Sequence, residues 1–161
     1  MKREIFEQAV REHQDMVFRV ALHCFANRQD AEDAVQEVFL RIYGRQEPFE
    51  SPEHLRRWLI RVTVNCCRDV LRSPWRKRRV YLEELPVSSL DQPEQRQLYR
   101  EVMALGPEKY RAVLDLFYYE ELSVREIGEI LGVGDSTVTT RLSRARQQLK
   151  KRLKEVWQDE E

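Results

Sequence analysis

The sequence predicts an all-α protein made of two small helical domains joined by a flexible linker. Apolar residues recur at three- and four-residue spacings along most of the 161 residues, as they do on one face of a helix. Only five glycines and six prolines are present, and no long stretch alternates apolar and polar residues, so a β-sheet is poorly supported. With 42% hydrophobic residues, the chain could bury two cores of roughly 60–70 residues each.

Two helices are predicted at the start of the chain. An amphipathic pattern covers residues 4–26 and includes His13, for which a position at the edge of the core is expected. Residues 27–30 interrupt the pattern, and Asp30 is predicted to cap the helix DAEDAVQEVFLRIY. The predicted buried stripe of this second helix consists of Ala34, Val35, Val38, Phe39 and Ile42.

Another face of the second helix carries Asp33, Gln36 and Glu37 beside the apolar Leu40, at spacings that place all four side chains together. An acidic patch repels phosphate, so a functional patch of this kind indicates a basic protein surface as the partner. The alternative is that these acids are solvated and only stabilise the first half of their helix through its dipole.

A third helix is predicted over about 53–72, after the loop GRQEPFESPE, in which Phe49 has no periodic partner. Trp58 is in phase with the apolar residues of this helix, so it is either a core residue or a surface residue available for binding. Residues 73–93 hold three prolines and the run RKRR without a helical period, which indicates the linker between domains 1–72 and 94–161. The residues predicted to point inward are Leu55, Trp58, Leu59, Val62, Cys66 and Val70.

The second domain is predicted to contain helices over 94–104 and 107–120, followed by a helix-turn-helix over 122–154. Ser123 and Glu126 have the spacing of a capping box, which begins the first helix of the motif. Gly132 is suited to end that helix in a left-handed conformation. Gly134 then allows the turn, and Asp135 or Ser136 caps the next helix.

The last helix is predicted to bury Val138, Leu142, Ala145 and Leu149, which leaves small polar residues and arginines outside. Short side chains let a helix backbone approach the major groove, and arginine can donate two hydrogen bonds to guanine. An ordinary helical hairpin with a basic face is the alternative interpretation. The predicted outward residues are Ser136, Thr139, Thr140, Arg141, Ser143, Arg144 and Arg146.

Charge is segregated along the chain although 28 basic and 28 acidic residues balance. Residues 51–80 carry nine basic residues against two acids, and residues 123–154 carry eight against three, which predicts two separate contacts with a polyanion. The sequence shows no signal peptide, membrane span, phosphate-binding loop or metal-ligand cluster, so a cytoplasmic protein without catalytic residues, cofactor or metal is expected. Cys24, Cys66 and Cys67 are expected to be reduced thiols.

Three segments in order resemble a bacterial sigma factor of the extracytoplasmic-function group in the sigma-70 family. DAEDAVQEVFLRIY resembles the helix that grips the clamp helices of RNA polymerase, and WLIRVTVNCCRDVLR resembles the helix that opens the minus-ten element. STVTTRLSRARQQLKKRL resembles the helix that reads the minus-thirty-five element, although Thr139 stands where lysine or arginine is frequent in the family. The length of 73–93 leaves no room for a third helical domain, which implies the minimal two-domain group.

The resemblance implies a role for each candidate residue. Asp33, Gln36 and Glu37 would bind core polymerase; Asn65, Arg61, Trp58 and Phe49 would contact the minus-ten DNA, with a flipped base captured near Phe49. Ser136, Thr139, Thr140, Arg141, Ser143 and Arg144 would contact the minus-thirty-five DNA. An antisigma protein is implied as a further partner. A dimeric helix-turn-helix regulator and an enzyme remain the alternative functions at this point.

Overall fold

The computed structural model describes residues 2–25, 27–71, 100–102, 104–106 and 108–159, and their regular structure is helical throughout. The chain divides into two compact units, Met1–Glu83 and Glu84–Glu161. The predicted all-α class with two helical units is therefore confirmed. The predicted linker over 73–93 and both of its boundaries lie outside the described residues, as does most of the predicted helix over 94–104.

Within its described residues, the N-terminal unit has three helices that all pack against one another: α1 (Arg3–Phe25), α2 (Arg28–Gly44) and α3 (Pro52–Leu71). Its core contains the fully buried residues Val17, Ala21, Val38, Ile42, Leu59 and Ile60. Asp30 does not cap α2, contrary to the prediction. The cap is Asn27, which has an extended backbone and whose side chain accepts the Asp30 N–H at 2.9 Å.

The buried face of α3 is rotated from the predicted one. Leu59 and Cys66 are buried as predicted, but Leu55, Trp58 and Val62 are half-buried and Val70 is 40% exposed. The reason is that α3 packs on two helices at once, so it buries a different arc, in which each residue is at most 2% exposed. That arc consists of Leu59, Ile60, Thr63, Val64 and Cys67.

The C-terminal unit contains α4 (Glu108–Leu114), a π-helical segment (Asp115–Tyr119), α5 (Val124–Leu131) and α6 (Asp135–Asp159). The single helix predicted over 107–120 is thus divided, because after Leu114 the backbone changes to the wider π-helical turn. Both α4 and α5 pack against α6. Arg152 of α6 also donates to Glu101 at 2.7 Å, which ties this long helix to residues 100–102.

The turn between α5 and α6 is partly as predicted. Ser123 and Glu126 form both hydrogen bonds of the capping box, and Gly132 ends α5 in the left-handed conformation with φ of 70°. The predicted cap at Asp135 or Ser136 is wrong, because α6 already begins at Asp135 and the Val138 N–H bonds to the carbonyl of Gly134. Gly134 therefore precedes the first turn of α6 as its cap.

Candidate protein and nucleic-acid interfaces

The acidic residues of α2 form a surface on the side away from the core. Asp33, Gln36 and Glu37 are exposed, and Leu40 beside them is 67% exposed. Asp33 accepts a hydrogen bond from Gln29 at 3.0 Å, and Glu37 pairs with Arg41 at 3.2 Å, both within the helix. Such exposed pairs contribute only tenths of a kcal/mol, so the carboxylates can exchange them for contacts with a partner. We call Asp33, Gln36, Glu37 and Leu40 the α2 face.

A cavity of about 380 Å³ lies between the α2 face and the outer side of α3. Four carboxylates line it against a single guanidinium, that of Arg41. The apolar Val70 lies at its edge, so the acidic surface of α2 continues onto the end of α3. The acidic lining residues are Asp30, Asp33, Glu37 and Asp69.

One stripe of α3 faces away from the core. His54, Trp58, Arg61 and Asn65 follow at spacings of four, three and four residues, within about 60° of the helix circumference. They lie opposite the buried arc around Thr63. Arg61 and Asn65 are exposed, and Trp58 is half-buried. Trp58 is therefore not a core residue of the three-helix unit.

The loop before α3 explains why Trp58 is half-buried. The Phe49 ring packs edge-to-face on Trp58 with ring centroids 5.5 Å apart, and on His54 at 5.3 Å. The guanidinium of Arg45 lies 4.4 Å from the centre of the Phe49 ring and 5.4 Å from that of Trp58. The structure thus brings together Phe49 and Trp58, which the sequence placed separately, and it adds Arg45 and His54. No periodic signal marked Arg45, because it follows α2 in a loop.

Beside this aromatic cluster lies a cavity of about 500 Å³ between the first half of α1 and the 45–52 loop. Apolar lining is supplied by Ile5, Ala9 and Leu55, and polar lining includes Glu12 and His13. Burial lowers the pKa of His13 below its ordinary 6.5; the Glu12 carboxylate opposes this shift, and Arg56 adds to it. His13 therefore lines the cavity as a neutral ring at pH 7.

The outer face of α6 carries Ser136, Thr139, Thr140 and Ser143, all exposed, at spacings that form one stripe opposite Val138, Leu142 and Ala145. We call these four residues the α6 stripe. Arg144 is exposed next to it, whereas Arg141 is half-buried. The face therefore offers short side chains in its middle and a long cation at its side.

The π-helical segment supports α6 from behind its exposed face. Arg146 of α6 donates to the Tyr118 hydroxyl at 2.7 Å, and its guanidinium lies 5.5 Å from the ring centres of both Phe117 and Tyr118. Arg146, predicted to point outward, is exposed but bonded to its own unit. No local sequence pattern indicates this contact, which joins residues 28 positions apart.

The three cysteines are buried, and none of them forms a disulfide. The pKa of the Cys67 thiol is raised mainly by its hydrogen bond with Cys24 and, to a smaller extent, by burial. Burial also raises the pKa of the Cys66 thiol. Protonated buried thiols are weak nucleophiles and weak metal ligands. Among the described residues, no group of three or more His, Cys, Asp or Glu side chains could hold a metal ion.

Comparison with known families identifies both units. Residues 9–77 match the Sigma-70 region 2 model, and residues 95–149 match the Sigma-70 region 4 model. The chain is 33% identical over 155 residues to the RNA polymerase sigma-E factor of Streptomyces coelicolor, covering 92% of this chain and 85% of that protein. The chain belongs to the sigma-70 family, in its extracytoplasmic-function group.

Two further relatives carry the group's name. The sigma factor is 35% identical to the ECF RNA polymerase sigma factor SigE of Mycolicibacterium smegmatis, over 90% of this chain and 60% of that protein. It is 29% identical to the ECF RNA polymerase sigma factor SigW of Bacillus subtilis, over 95% of this chain and 91% of that protein. It therefore spans less than two thirds of the mycobacterial relative and nearly all of the other.

Solved structures show the same fold. The sigma factor RpoE from Bartonella quintana, solved with the anti-sigma factor NepR, superposes with a TM-score of 0.70 at 22% identity, covering 94% of this chain and 98% of that one. CnrH, solved with the cytosolic domain of CnrY, gives a TM-score of 0.63 at 23% identity, covering 95% of this chain and 90% of that one. No described helix of the sigma factor is long and apolar enough to cross a membrane.

Proposed function

We propose that this sigma factor binds core RNA polymerase through the α2 face, melts and reads the minus-ten element with the outer stripe of α3, and reads the minus-thirty-five element with α6. The observation that carries the proposal is the His54–Trp58–Arg61–Asn65 stripe on the opposite side of α3 from the core, in which Arg61 and Asn65 are exposed and His54 and Trp58 are half-buried. This stripe offers an aromatic ring, a cation and an amide along one line.

The α2 face suits a basic protein surface. Asp33 and Glu37 supply negative charge, Gln36 supplies a neutral hydrogen-bonding group, and Leu40 supplies an exposed apolar contact. Complementary charge raises the association rate and fixes the register, whereas the buried apolar centre supplies most of the affinity. DNA is repelled by the same carboxylates, so the α2 face favours polymerase over promoter.

The outer stripe of α3 suits a melted DNA strand. Aromatic rings stack on unpaired bases, arginine neutralises phosphate, and an amide can bond both donors and acceptors on a base edge. Phe49, Trp58 and Arg45 are already packed together, with the two rings edge-to-face, so a strand that meets them needs little rearrangement. The cavity beside Phe49 has the polar and apolar lining that a base flipped from the duplex requires.

In the second unit, α6 would lie in the major groove of the upstream element with Ser136, Thr139, Thr140 and Ser143 towards the bases. Arg144 at the side of the stripe is placed to donate two bonds to a guanine, and Arg141 to reach a phosphate. The domain assignment follows: residues 1–72 for polymerase and the minus-ten element, 73–93 as linker, and 94–161 for the minus-thirty-five element.

The same proposal covers the partners. The protein would act in the cytoplasm, where polymerase and promoter DNA are found, with no cofactor and no catalytic activity of its own. An antisigma protein would hold it inactive, since the sigma factor RpoE, which has the same fold, was solved with the anti-sigma factor NepR. A dimeric regulator that binds DNA without polymerase is not favoured, because both family models are those of a sigma factor.

Transcription in vitro with purified core polymerase tests the proposal. The chain should direct initiation from a restricted set of promoters, whereas alone it should bind promoter duplex weakly. Glu37→Lys should reduce polymerase binding at least tenfold, a loss of about 1.4 kcal/mol or more. The fold should be kept, because Glu37 is exposed.

Two controls make the result interpretable. Glu7→Lys reverses a charge in a similar exposed pair, Arg3–Glu7 at 3.0 Å on α1, and should leave polymerase binding unchanged. Val38→Asp should unfold the unit, because Val38 is fully buried and the new charge would have no partner. If Glu37→Lys folds and still supports full promoter-dependent transcription, the α2 face is not the polymerase interface.

A further inference from the structure

Two hydroxyl groups at the centre of the α6 stripe are already engaged. Thr139 Oγ1 donates to the Asp135 carbonyl at 3.0 Å, and Thr140 Oγ1 donates to the Ser136 carbonyl at 2.9 Å. Each hydroxyl has one proton, and in each case that proton is used within the helix. Neither threonine can therefore donate to a base edge without first breaking its own hydrogen bond.

What each threonine leaves exposed is its methyl group, together with the lone pairs of its oxygen. Both residues are exposed, and the flanking stripe members, Ser136 and Ser143, are too short to hold the α6 backbone away from a groove. The centre of the stripe thus combines a close approach with two methyl groups. In the major groove the C5 methyl of thymine is the apolar group on a base edge that such methyls can contact.

We infer that Thr139 and Thr140 select thymines in the upstream promoter element by methyl-to-methyl contact, and that their hydroxyls do not donate to bases. The inference rests on the proposed role of α6 in promoter recognition. Exchanging a helix hydrogen bond for one to a base yields little net free energy, because one bond is broken for each bond formed. Burying a methyl group against another has no such cost.

Replacing thymine by uracil removes only the C5 methyl, so it tests the contact directly. The holoenzyme, formed from core polymerase and the full chain, is titrated on a promoter that it selects from a randomised library. Each thymine of the upstream element is replaced by uracil in turn. Binding should weaken about fourfold at one or two positions, which corresponds to ~0.8 kcal/mol for one methyl group.

Paired variants identify the residue responsible. Thr139→Val and Thr140→Val keep the methyl and lose the hydroxyl, so they should keep the full response to uracil. Thr139→Ser and Thr140→Ser keep the hydroxyl and lose the methyl, so each should lose the response at its own position. Threonine, valine and serine have similar helix propensities, and far-UV circular dichroism checks that α6 is kept.

The outcomes separate the inference from the function on which it rests. A holoenzyme that selects its promoter but responds to uracil at no upstream position, or whose selected element contains no thymine, overturns the inference alone. So does a serine variant that keeps the response, or a valine variant that loses it. A holoenzyme that selects no promoter at all overturns the proposed function, and the inference falls with it.

Discussion

Gly128 lies where α5 and the turn before α6 come closest. A Cβ atom there would lie 2.7 Å from the Val133 carbonyl oxygen, and the Val133 N–H bonds to the Gly128 carbonyl at 3.0 Å. Glycine in a helix normally costs about 1 kcal/mol relative to alanine. At this position the clash of a Cβ atom with the backbone outweighs the higher helix propensity of alanine. The close approach of the turn therefore requires a glycine.

We therefore expect Gly128→Ala to destabilise the C-terminal unit by about 1–3 kcal/mol, because an overpacked backbone must shift. Thermal or urea unfolding followed by circular dichroism measures the change. Gly134→Ala is the matched control in the same turn, since a Cβ at Gly134 meets nothing within 4 Å. Equal stability of the two alanine variants would show that the turn can move away at no cost.

His13 makes the stability of the N-terminal unit depend on pH. Burial lowers the pKa of His13 in the folded state, so the unfolded chain binds its proton more readily. The stabilising contribution is complete above about pH 6.5 and is lost as the pH falls through the lowered folded pKa. His13→Gln removes this dependence.

The measurement is the thermal midpoint of both proteins between pH 7.5 and pH 5. Carboxylates titrate in both, so the difference between the two midpoints isolates His13. We expect His13→Gln to gain stability relative to the natural sequence as the pH falls below about 6.5. A difference that stays constant across this range would mean that His13 has the same pKa folded and unfolded.

Single residues show where sequence reasoning succeeds. The capping box of Ser123 and Glu126 and the left-handed Gly132 were predicted as observed, because both depend on neighbours a few positions away. Glu121, with φ of 56°, and Gly128 were not predicted. Their conformation and crowding come from contacts formed only when the whole unit packs, and no local pattern records those contacts.

At the scale of elements, the π-helical segment has a direct consequence for α6. Its wider turn places Phe117 and Tyr118 against Arg146, which joins two elements that are distant in sequence. The predicted continuous helix over 107–120 contained the same residues but no reason for this contact. The spacing of the apolar residues correctly indicated a helix. It could not indicate that one turn is π-helical and therefore contains an additional residue.

Tyr118→Phe tests how much the hydroxyl contributes to this contact. The change removes the acceptor of the 2.7 Å bond and keeps the ring beneath the guanidinium. Since the bond is exposed, we expect a loss of about 0.5–1 kcal/mol in the unfolding free energy. Tyr118→Ala, which also removes the cation–π contact, should cost more. Urea titration of both variants gives the comparison, and equal losses would assign the whole effect to the hydroxyl and none to the ring.

The rotated face of α3 shows a second limit of periodicity. Leu55, Trp58 and Val62 were assigned to the core by their spacing, yet they are only half-buried, whereas Thr63 is fully buried with its hydroxyl bonded to the Leu59 carbonyl. An apolar stripe shows that a helix has a buried face. It does not show whether a given residue is covered by α1, by α2 or by the loop before α3.

For the whole molecule, the order of the two units and their charge pattern were readable from the sequence. The basic block over 51–80 includes α3, and the block over 123–154 includes α5 and most of α6, so each unit has its own basic segment, and the prediction remains that each contacts a polyanion. Two separate contacts allow two separate steps of initiation. Closed-complex specificity would depend on α6, and strand opening on the outer stripe of α3.

Asn65→Ala and Arg144→Ala should therefore affect different steps. Arg144→Ala removes a bidentate base contact, so discrimination between the upstream element and a mismatched one should fall by about 1–3 kcal/mol. Asn65→Ala should leave closed-complex formation intact and reduce opening, because the amide is proposed to hold an unpaired base. Electrophoretic binding measures the first effect, and permanganate reactivity of thymines measures the second.

The double variant decides whether the two contacts act independently. Asn65 and Arg144 belong to separate compact units, so their effects on the free energy of open-complex formation should add within about 0.5 kcal/mol if each acts on its own promoter element. Arg125→Ala serves as the control, since Arg125 is an exposed arginine that belongs to α5 and not to the α6 stripe and pairs with Glu129 at 3.7 Å, and it should alter neither step. Normal melting by the Asn65 variant would remove Asn65 from the minus-ten assignment. A strong departure from additivity would instead mean that upstream recognition and strand opening are coupled in the holoenzyme.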